Sequence, residues 1–600
     1  LDCNNHNPSI GMNESLNGAA VSRCAGMTLR ARRIGFAALV CVSAAALLAL
    51  MAATLFTTAP DAIGVAMLLL FALTLPWTTI GFWNAAIGFL LMIFARDPAA
   101  LVAPHLRHAA GGTAIAARTA LLVCIRNEDT GRLLRNLGWM LEGLVATGEA
   151  RWFQLYILSD SDRPAIAAAE QGVAAALTQR FGGVVQVTYR RRERRPGFKA
   201  GNIRDFCERW GARHEYAIVL DADSVMAPAA MLRLVRIMQA APRIGILQTL
   251  VTGLPSASPF ARIFQFGMRL GMRSYTLGAA SWQGDCGPYW GHNAILRLAP
   301  FIAHCHLPVL PGAPPLGGYV LSHDQLEAVL MRRAGYEVRV LPDEDGSWEE
   351  NPPSLPEFIR RDLRWCQGNM QYFHFLTLPG LRAVSRCQLV LAIAMYLSAP
   401  AWLAFMLLGL VRAQPFRADL GIVLFAVTLA MGLAPKLATL GDVLLHAGSR
   451  RAYGGVLRIV VGVMLEFLLT LLIAPVSAVA VTLFLCGLPF GRQVGWSAQQ
   501  RDAEGVPLSM AVHRLWPQTL LGIALALAFW RVAPGAVWFW APLVLGLAGA
   551  IPLAMLSAHP PLGRLLGAAG LCRVPEEAAP GKVAAAALFA PFAAPAATQQ

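Results

Sequence analysis

Ala217-Ile-Val-Leu-Asp-Ala-Asp223 decides how this chain is read. Four apolar residues run directly into two carboxylates spaced i and i+2, and in an extended chain side chains at that spacing leave on the same side. Both carboxylates therefore face one point just past the end of a strand. Hard oxygen ligands placed there suit Mg²⁺ or Mn²⁺ bridging a diphosphate, since Mg²⁺ takes one or two carboxylates together with substrate phosphates. The plainer alternative is a solvated turn or helix cap, the commoner use of an isolated Asp-x-Asp.

Two upstream runs end the same way. Leu121 to Ile125 leads into Arg126-Asn-Glu-Asp129, and Leu155 to Leu158 into Ser159-Asp-Ser-Asp162. Val184 to Tyr189 and Ile244 to Leu247 add further strand-like runs. Between them, Ala165 to Phe181, Ala200 to Trp210 and Ala229 to Ala240 carry helical periodicity. Such alternation indicates an α/β domain with a largely parallel sheet, whose ligands bind beyond the carboxyl ends of the strands. Asn, Asp and Ser are also ordinary turn residues. Three carboxylate-bearing corners on one sheet edge favour a site.

Cationic and aromatic groups follow. Lys199, in Gly197-Phe-Lys-Ala-Gly-Asn202, is one of only three lysines, with Lys436 and Lys582, in a chain whose basic residues are otherwise Arg. A compact ammonium at a helix start suits phosphate oxygens; chance survival of a surface lysine is the alternative. Trp290 and His292, in Tyr289-Trp-Gly-His-Asn-Ala-Ile295, offer a sugar-stacking face or ordinary core packing. Asp324, in Ser322-His-Asp324 at the start of a helix expected to run to Arg333, serves as general base or as N-cap chemistry. Arg361 and Arg364 lie i and i+3 on one helix face beside Trp365, where two guanidinium forks hold a diphosphate; a membrane-surface helix is the alternative. His304-Cys-His306 is read as alternate strand positions with a structural role, lacking the second pair that zinc needs.

Composition sets the surroundings. The 600 residues are 56% hydrophobic and 14% charged, against roughly 25% charged in ordinary globular proteins. The net charge of +15 is spread along the chain. Disordered, fibrous and nucleic-acid-coating proteins are excluded, and a lipid bilayer is the expected surroundings. Eleven cysteines without a CxxC pair make no disulfide framework.

Apolar runs long enough to span are Ile34 to Phe56, preceded by Arg23, Arg30, Arg32 and Arg33, then Ala62 to Ala95 with a bend at Pro76, then 388–411, 419–438, 458–487, 517–533 and 535–556. Glu466 and Ala474-Pro475 interrupt 458–487, which reads as a span followed by a second short span, or as an interfacial helix. Arg450, Arg451 and Arg458 before it and Arg492, Arg501 and Arg514 after it both look cytoplasmic. A span out and back satisfies both flanks. About eight crossings follow, with both termini cytoplasmic; Arg412 and Arg417, in the expected external loop, run against this. The expected divisions are a tail (1–33), two spans (34–95), the cytoplasmic catalytic domain with a C-terminal interfacial helix (96–386), spanning or interfacial helices (387–487), a cytoplasmic loop (488–516), two spans (517–556) and a cytoplasmic tail (557–600), Ala- and Pro-rich and disordered from about 574.

The ordered set Asn127-Glu128, Asp160, Lys199-Ala-Gly-Asn202, Asp221-Ala-Asp223, Ser322-His-Asp324 and Arg361-x-x-Arg364-Trp365 resembles the membrane-embedded inverting glycosyltransferases of the cellulose and hyaluronan synthase superfamily, over most of residues 118–370. Gly284-Asp-Cys-Gly-Pro-Tyr-Trp-Gly-His-Asn-Ala294, Leu321-Ser-His-Asp324 with Met331-Arg-Arg-Ala-Gly335, and Arg364-Trp-Cys-Gln-Gly-Asn369 are similar to the bacterial glucans biosynthesis glucosyltransferase H family. That resemblance implies a GT-A fold among inner-membrane helices, UDP-glucose as donor, and a growing β-1,2-linked glucan backbone of osmoregulated periplasmic glucans, with coupled export. It implies a periplasmic biosynthesis partner and acyl carrier protein as partners, and Mg²⁺ or Mn²⁺ as cofactor. By motif position, Asn127, Glu128 and Asp160 lie at the nucleotide, Lys199 at the diphosphate, Asp221 and Asp223 at nucleotide and metal, and Asp324 at the catalytic-base position. Arg361 and Arg364 then face the diphosphate, with Trp365, Trp290 and His292 facing the acceptor. Ser-His-Asp departs from the superfamily's Thr-Glu-Asp while agreeing with the narrower family. The loop Gly495 to Asp502 also looks family-like, as a gate. Another polysaccharide or glycolipid synthase, or a non-catalytic nucleotide-sugar sensor or transporter, are the alternatives.

Overall fold

The computed structural model describes residues 28–57, 59–108, 113–344, 346–412, 414–495, 504–532 and 534–578. Its centre is a seven-stranded sheet built from β1 (Thr119–Ile125), β2 (Phe153–Ser159), β3 (Gln186–Arg191), β4 (Tyr216–Asp221), β5 (Ile244–Thr249), β6 (Ala294–Arg297) and β7 (Glu337–Leu341), in the order β7-β5-β6-β4-β1-β2-β3. All pairs are parallel except those of β6, which runs antiparallel to β4 and β5. The five expected strands are present; β6 and β7 were not anticipated. A short strand β8 (Ser347–Glu349) joins a separate three-stranded ribbon.

The chain enters through α1 (Leu29–Leu55) and α2 (Ala62–Phe94) before the sheet begins. Within the α/β unit come α3 (Thr130–Ala146), α4 (Pro164–Phe181), α5 (Phe198–Trp210), α6 (Pro228–Ala240), α7 (Pro259–Gln283), α8 (His323–Arg333) and α9 (Leu355–Met370). Strand side chains alternate between two layers, as the two-residue period requires. Leu121, Val123, Leu155 and Ile157 pack with Leu137 of α3, Leu177 of α4 and Val235 of α6. Ala120, Leu122, Tyr156 and Leu158 pack with Phe206 of α5 and Leu326 of α8, in a cluster that continues into Leu389, Ile393 and Phe484 of the apolar helices.

Downstream lie α10 (Ala383–Val411), α11 (Ala418–Leu445), α12 (Val456–Gly487), α13 (Leu508–Val532), α14 (Val537–Ala548) and α15 (Ala550–Ser557). Among the described residues, α1, α2, α10, α11, α12 and α13 are long and apolar enough to cross a membrane, and the last stretch adds a seventh only if the segments meeting at a 70° bend count as one span. The protein is thus polytopic, with six or seven candidate crossings among the described residues against about eight expected. The difference is α12: residues 458–487 do not turn back at Ala474-Pro475, because one unbroken helix carries Pro475 in its interior. Apolar spanning helices tolerate such a proline. Both ends of α12 nevertheless meet the α/β unit. Ile459 packs with Phe260 and Phe266 of α7, and Phe484 and Leu488 pack with Met370 of α9.

Three other expectations change. α7 lies within the stretch read as soluble yet packs tightly on the spans: a Cβ on Gly88 of α2 would come 1.9 Å from the Ser274 carbonyl, and one on Gly278 would come 1.9 Å from that of Asn84. Small residues let helix backbones approach this closely. The tail is ordered as far as it is described, since Val574 is buried, Glu576 accepts from Arg269 at 2.8 Å and Glu577 from Arg262 at 2.8 Å; residues 579–600 lie outside the described ones. His304 ends a helix, Leu298–His304, so His304 and His306 are not alternate strand positions.

Candidate active site

The strand order reverses between β1 and β4, and in open α/β sheets that switch point is where ligands bind. The register aligns Cys124 with Asp221 and Ile125 with Ser159, so the three carboxylate-bearing corners leave the sheet side by side. A cavity of about 700 Å³ opens there. Glu128, Asp160, Lys199, Asp221, Asp223, Trp290, His292, Asp324, Arg361, Arg364 and Trp365 all line it. Asn127 does not.

Asn127 turns to the corner itself. At φ +54°, its backbone N–H donates to Ser161 Oγ at 2.7 Å and its amide to Asp162 Oδ1 at 2.7 Å. Ser159 and Ser161 donate in turn to the buried Glu170 at 2.6 and 2.5 Å. Asp160 reaches the cavity wall, but both its oxygens accept from Arg192, at 2.7 and 2.6 Å. Arg192 also donates to the Pro196 and Phe198 carbonyls at 3.1 and 2.9 Å. Asp160 is therefore tied to the turn that delivers Lys199.

Gly197 at φ +72° and Phe198 at φ +51° set that turn. Lys199 Nζ donates to Asp221 Oδ1 and, at 2.8 Å, to the Gly291 carbonyl. Burial works to lower the pKa of this ammonium, and the Asp221 carboxylate more than reverses it. Gly291 stands at φ +82°, where a Cβ would lie 3.3 Å from Asp324 Cβ and 3.6 Å from its Oδ2. Asp221, Lys199, Gly291 and Asp324 thus follow one another across the cavity. Gln248 holds the Trp290–Asn293 loop, accepting from the Trp290 N–H at 2.8 Å and donating to the His292 carbonyl at 3.0 Å.

Beyond Asp223 the wall is formed by Glu349 and Glu350. His292 Nε2 lies 3.4 Å from Glu349, Arg132 pairs with Glu350 at 2.9 Å, and the Glu350 N–H donates to Asp223 Oδ2 at 3.3 Å. On α9, the Arg361 guanidinium sits 4.8 Å over the Trp365 ring. Its Nε is buried without a hydrogen-bond partner, and burial lowers its pKa. Arg364 is pushed down to about 10, by burial first and then by Arg360 and Arg361. Cations crowded in this way beside two carboxylates complement a polyanion bound with a divalent ion. Among the described residues the lining ends at α9 and Gln493–Gly495, with no residue from a spanning helix. Of the loop expected to act as a gate, only Gly495 is described.

The sequence reading missed Glu170, Arg192, Gln248, Glu349 and Glu350. The first three act through other side chains, and a strand alternation carries no sign of that. Glu349-Glu350 follows the apolar Trp348 at a strand end, the same signal that marked Asp221, and was available.

Residues 216–434 match the family model described as glycosyl transferase family group 2. The chain is 38% identical over 541 residues to a glucans biosynthesis glucosyltransferase H of Pseudomonas aeruginosa, covering 86% of this chain and 62% of that one. It is 37% identical to the proteins of that name from Dickeya dadantii, covering 88% and 64%, and from Pseudomonas syringae pv. syringae, covering 87% and 67%. The chain therefore spans about two thirds or less of the length of these curated relatives. Among solved structures, a mannosyltransferase from Pyrobaculum calidifontis in complex with GDP-Man and Mn²⁺ aligns with 60% of this chain and 98% of its own, at 15% identity and a TM-score of 0.37.

Proposed function

The chain belongs to the glucans biosynthesis glucosyltransferase H family, and on that footing we propose that it is an inverting glucosyltransferase of the bacterial inner membrane that uses UDP-glucose to extend a β-linked, β-1,2 glucan backbone. The observation that carries this is the single cavity in which Asp324, the Asp221/Asp223 pair and the cations Lys199, Arg361 and Arg364 meet. In this reading the sheet edge and both termini face the cytoplasm, where UDP-glucose is supplied.

Asp324 takes the proton from an acceptor hydroxyl as that oxygen attacks the anomeric carbon, and one in-line displacement turns the α-linkage of the donor into a β-linkage. Lys199, Arg361 and Arg364 stabilise the diphosphate as it leaves, in a setting where fixed charges act more strongly than in water. Asp221 and Asp223 fit a divalent ion: both line the cavity, and two carboxylates are what Mg²⁺ takes beside phosphates. They would hold Mg²⁺ or Mn²⁺, which supplies Lewis-acid stabilisation of the leaving diphosphate. Lys199 then exchanges its contact with Asp221 for one with phosphate. Trp365, Trp290 and His292 bound the acceptor side.

Asp324→Asn is expected to keep UDP affinity and lose transfer by about 10²-fold or more; near-normal turnover in that variant rejects the base assignment. Linkage analysis of the product made from labelled UDP-glucose tests the β-1,2 assignment.

A further inference from the structure

Besides Asp324, the start of α8 carries a buried pair that the transfer step does not use. His323 and Glu327 are 6% and 2% exposed, and His323 Nδ1 shares a hydrogen bond of 3.0 Å with Glu327 Oε2 one turn along the helix. The pair stands between two cavities. His323 lines the donor cavity beside Asp324. Glu327 lines a second cavity of about 380 Å³, walled by Cys207 of α5, Ile302 of the helix Leu298–His304, Cys305 just past its end, and Tyr319.

We propose that His323 and Glu327 form a proton exit from Asp324 to the second cavity. The proposal rests on Asp324 being the base. Each transfer leaves one proton on Asp324, which must ionise before the next sugar is added. A sugar nucleotide on one side and a glucan on the other cover the donor cavity, whereas the second cavity stays open to water. In the relay, the Asp324 proton passes to His323 Nε2, the Nδ1 proton passes to Glu327, and Glu327 releases one proton to water. Asp324 and Glu327 return to carboxylates and the ring stays neutral. The ring then regains its first tautomer by exchanging one proton with water at each nitrogen, with no net change.

The neighbouring groups suit this assignment. On the donor side His323 feels Asp324 and Lys199. Tyr289 and Tyr372 also face Asp324 and Glu327, and burial holds both hydroxyls well above their ordinary pKa. On the far side burial pushes the Cys207 thiol up to about 12 and raises that of Cys305. Neither these two tyrosines nor these two cysteines exchange a proton near neutrality. Burial raises the Glu327 carboxyl; it works to lower His323, and the Glu327 carboxylate reverses that.

The test is made on the full-length protein. Glu327→Gln still accepts a hydrogen bond from His323 but carries no exchangeable carboxyl proton. Its kcat is expected to fall about 10- to 100-fold, with KM for UDP-glucose and UDP affinity within about twofold of unmodified protein by that same reasoning. Formate, small enough for the second cavity, is expected to restore part of the turnover of Glu327→Ala, and Glu327→Asp to retain most of it. An unchanged kcat in Glu327→Gln overturns the relay. So does a loss that formate leaves untouched, or a loss of UDP binding in both Glu327→Gln and Glu327→Asp, which assigns the pair to holding α8 in place. Asp324→Asn is expected to stay inactive with or without formate, and turnover there removes the base itself and not the exit alone.

Discussion

Two helices of this protein bury arginines, and they treat them in opposite ways. On α7, Arg262 meets Glu577 at 2.8 Å, Arg269 meets Glu344 at 2.9 Å and Glu576 at 2.8 Å, and Arg273 meets Asp442 at 2.9 Å. On α9, Arg360 pairs with Glu357 at 2.7 Å, while Arg361 and Arg364 face the cavity. The pKa directions follow. Burial works to lower that of Arg269, but Glu344 and Glu576 more than reverse it; burial and the neighbouring Arg360 and Arg361 leave Arg364 at about 10. The α7 set is electrically complete as folded. The α9 set is crowded with like charge as well as buried, an arrangement that an anionic ligand relieves.

The largest effect that would sharpen this contrast is at Arg269. Its removal leaves Glu344 and Glu576 buried against one another, and breaking a buried pair from one side typically costs about 3–5 kcal/mol. Arg269→Met is expected to lower Tm in detergent by a corresponding amount, with UDP affinity unchanged in whatever protein remains folded. Retained Tm would break the comparison, because α7 would then be no better paired than α9.

Arg364→Met is expected to act in the reverse sense. UDP affinity should fall about 10- to 100-fold, as removal of a charge-assisted contact to phosphate does, while stability without ligand rises by about 1 kcal/mol as a buried, crowded cation is replaced. The sign of the pH dependence agrees. A cation whose pKa is about 10 folded, against an ordinary 12.5, binds fewer protons in the native state than in the unfolded state between those values, so unmodified protein gains stability as pH rises through that window. UDP affinity should decline over the same rise, as the guanidinium loses charge. The variant is expected to lose both trends, measured as Tm and UDP titration from pH 9 upward.

The same division decides what could be read beforehand. At the sheet edge, chemistry and position coincide locally: Leu220 is followed at once by Asp221, and Lys199 opens its own helix, so strand periodicity alone placed them together. Glu170 and Arg192 were illegible because their work is to hold Ser161, Asp160 and the Lys199 turn: the packing of α4 brings Glu170 there, and the register of β2 against β3 brings Arg192, which follows Arg191 opposite Ser159. Asn127 bonds within its own corner, where corner residues and ligand residues are drawn from the same few types. At α7, Arg262 and Arg269 each find a partner some 300 residues away, Glu577 and Glu576, in a segment whose Ala and Pro content reads as disorder. Pro475 misled in the span count for a related reason. Its helix-breaking tendency is a property of exposed helices, and the surrounding apolar helices override it.

The smallest effect tests whether pairing or burial sets the worth of an arginine here. Arg417 pairs with Asp419 at 2.7 Å, but both side chains are more than half exposed. Arg412 pairs with Asp61 at the same distance with only 6% of its side chain exposed, and it also donates to the Leu55 carbonyl at 2.8 Å. These two residues opposed the charge-based orientation, and the structure gives each a carboxylate beside it. Solvent screens the Arg417 pair and leaves it the entropy of holding two mobile chains together. Arg417→Ala is therefore expected to leave both Tm and reporter-measured topology where they are, and Arg412→Ala to lower Tm measurably. A loss at Arg417 equal to that at Arg269 would mean that pairing alone carries the energy. The distinction between α7 and α9 would then have to rest on their ligands and no longer on desolvation.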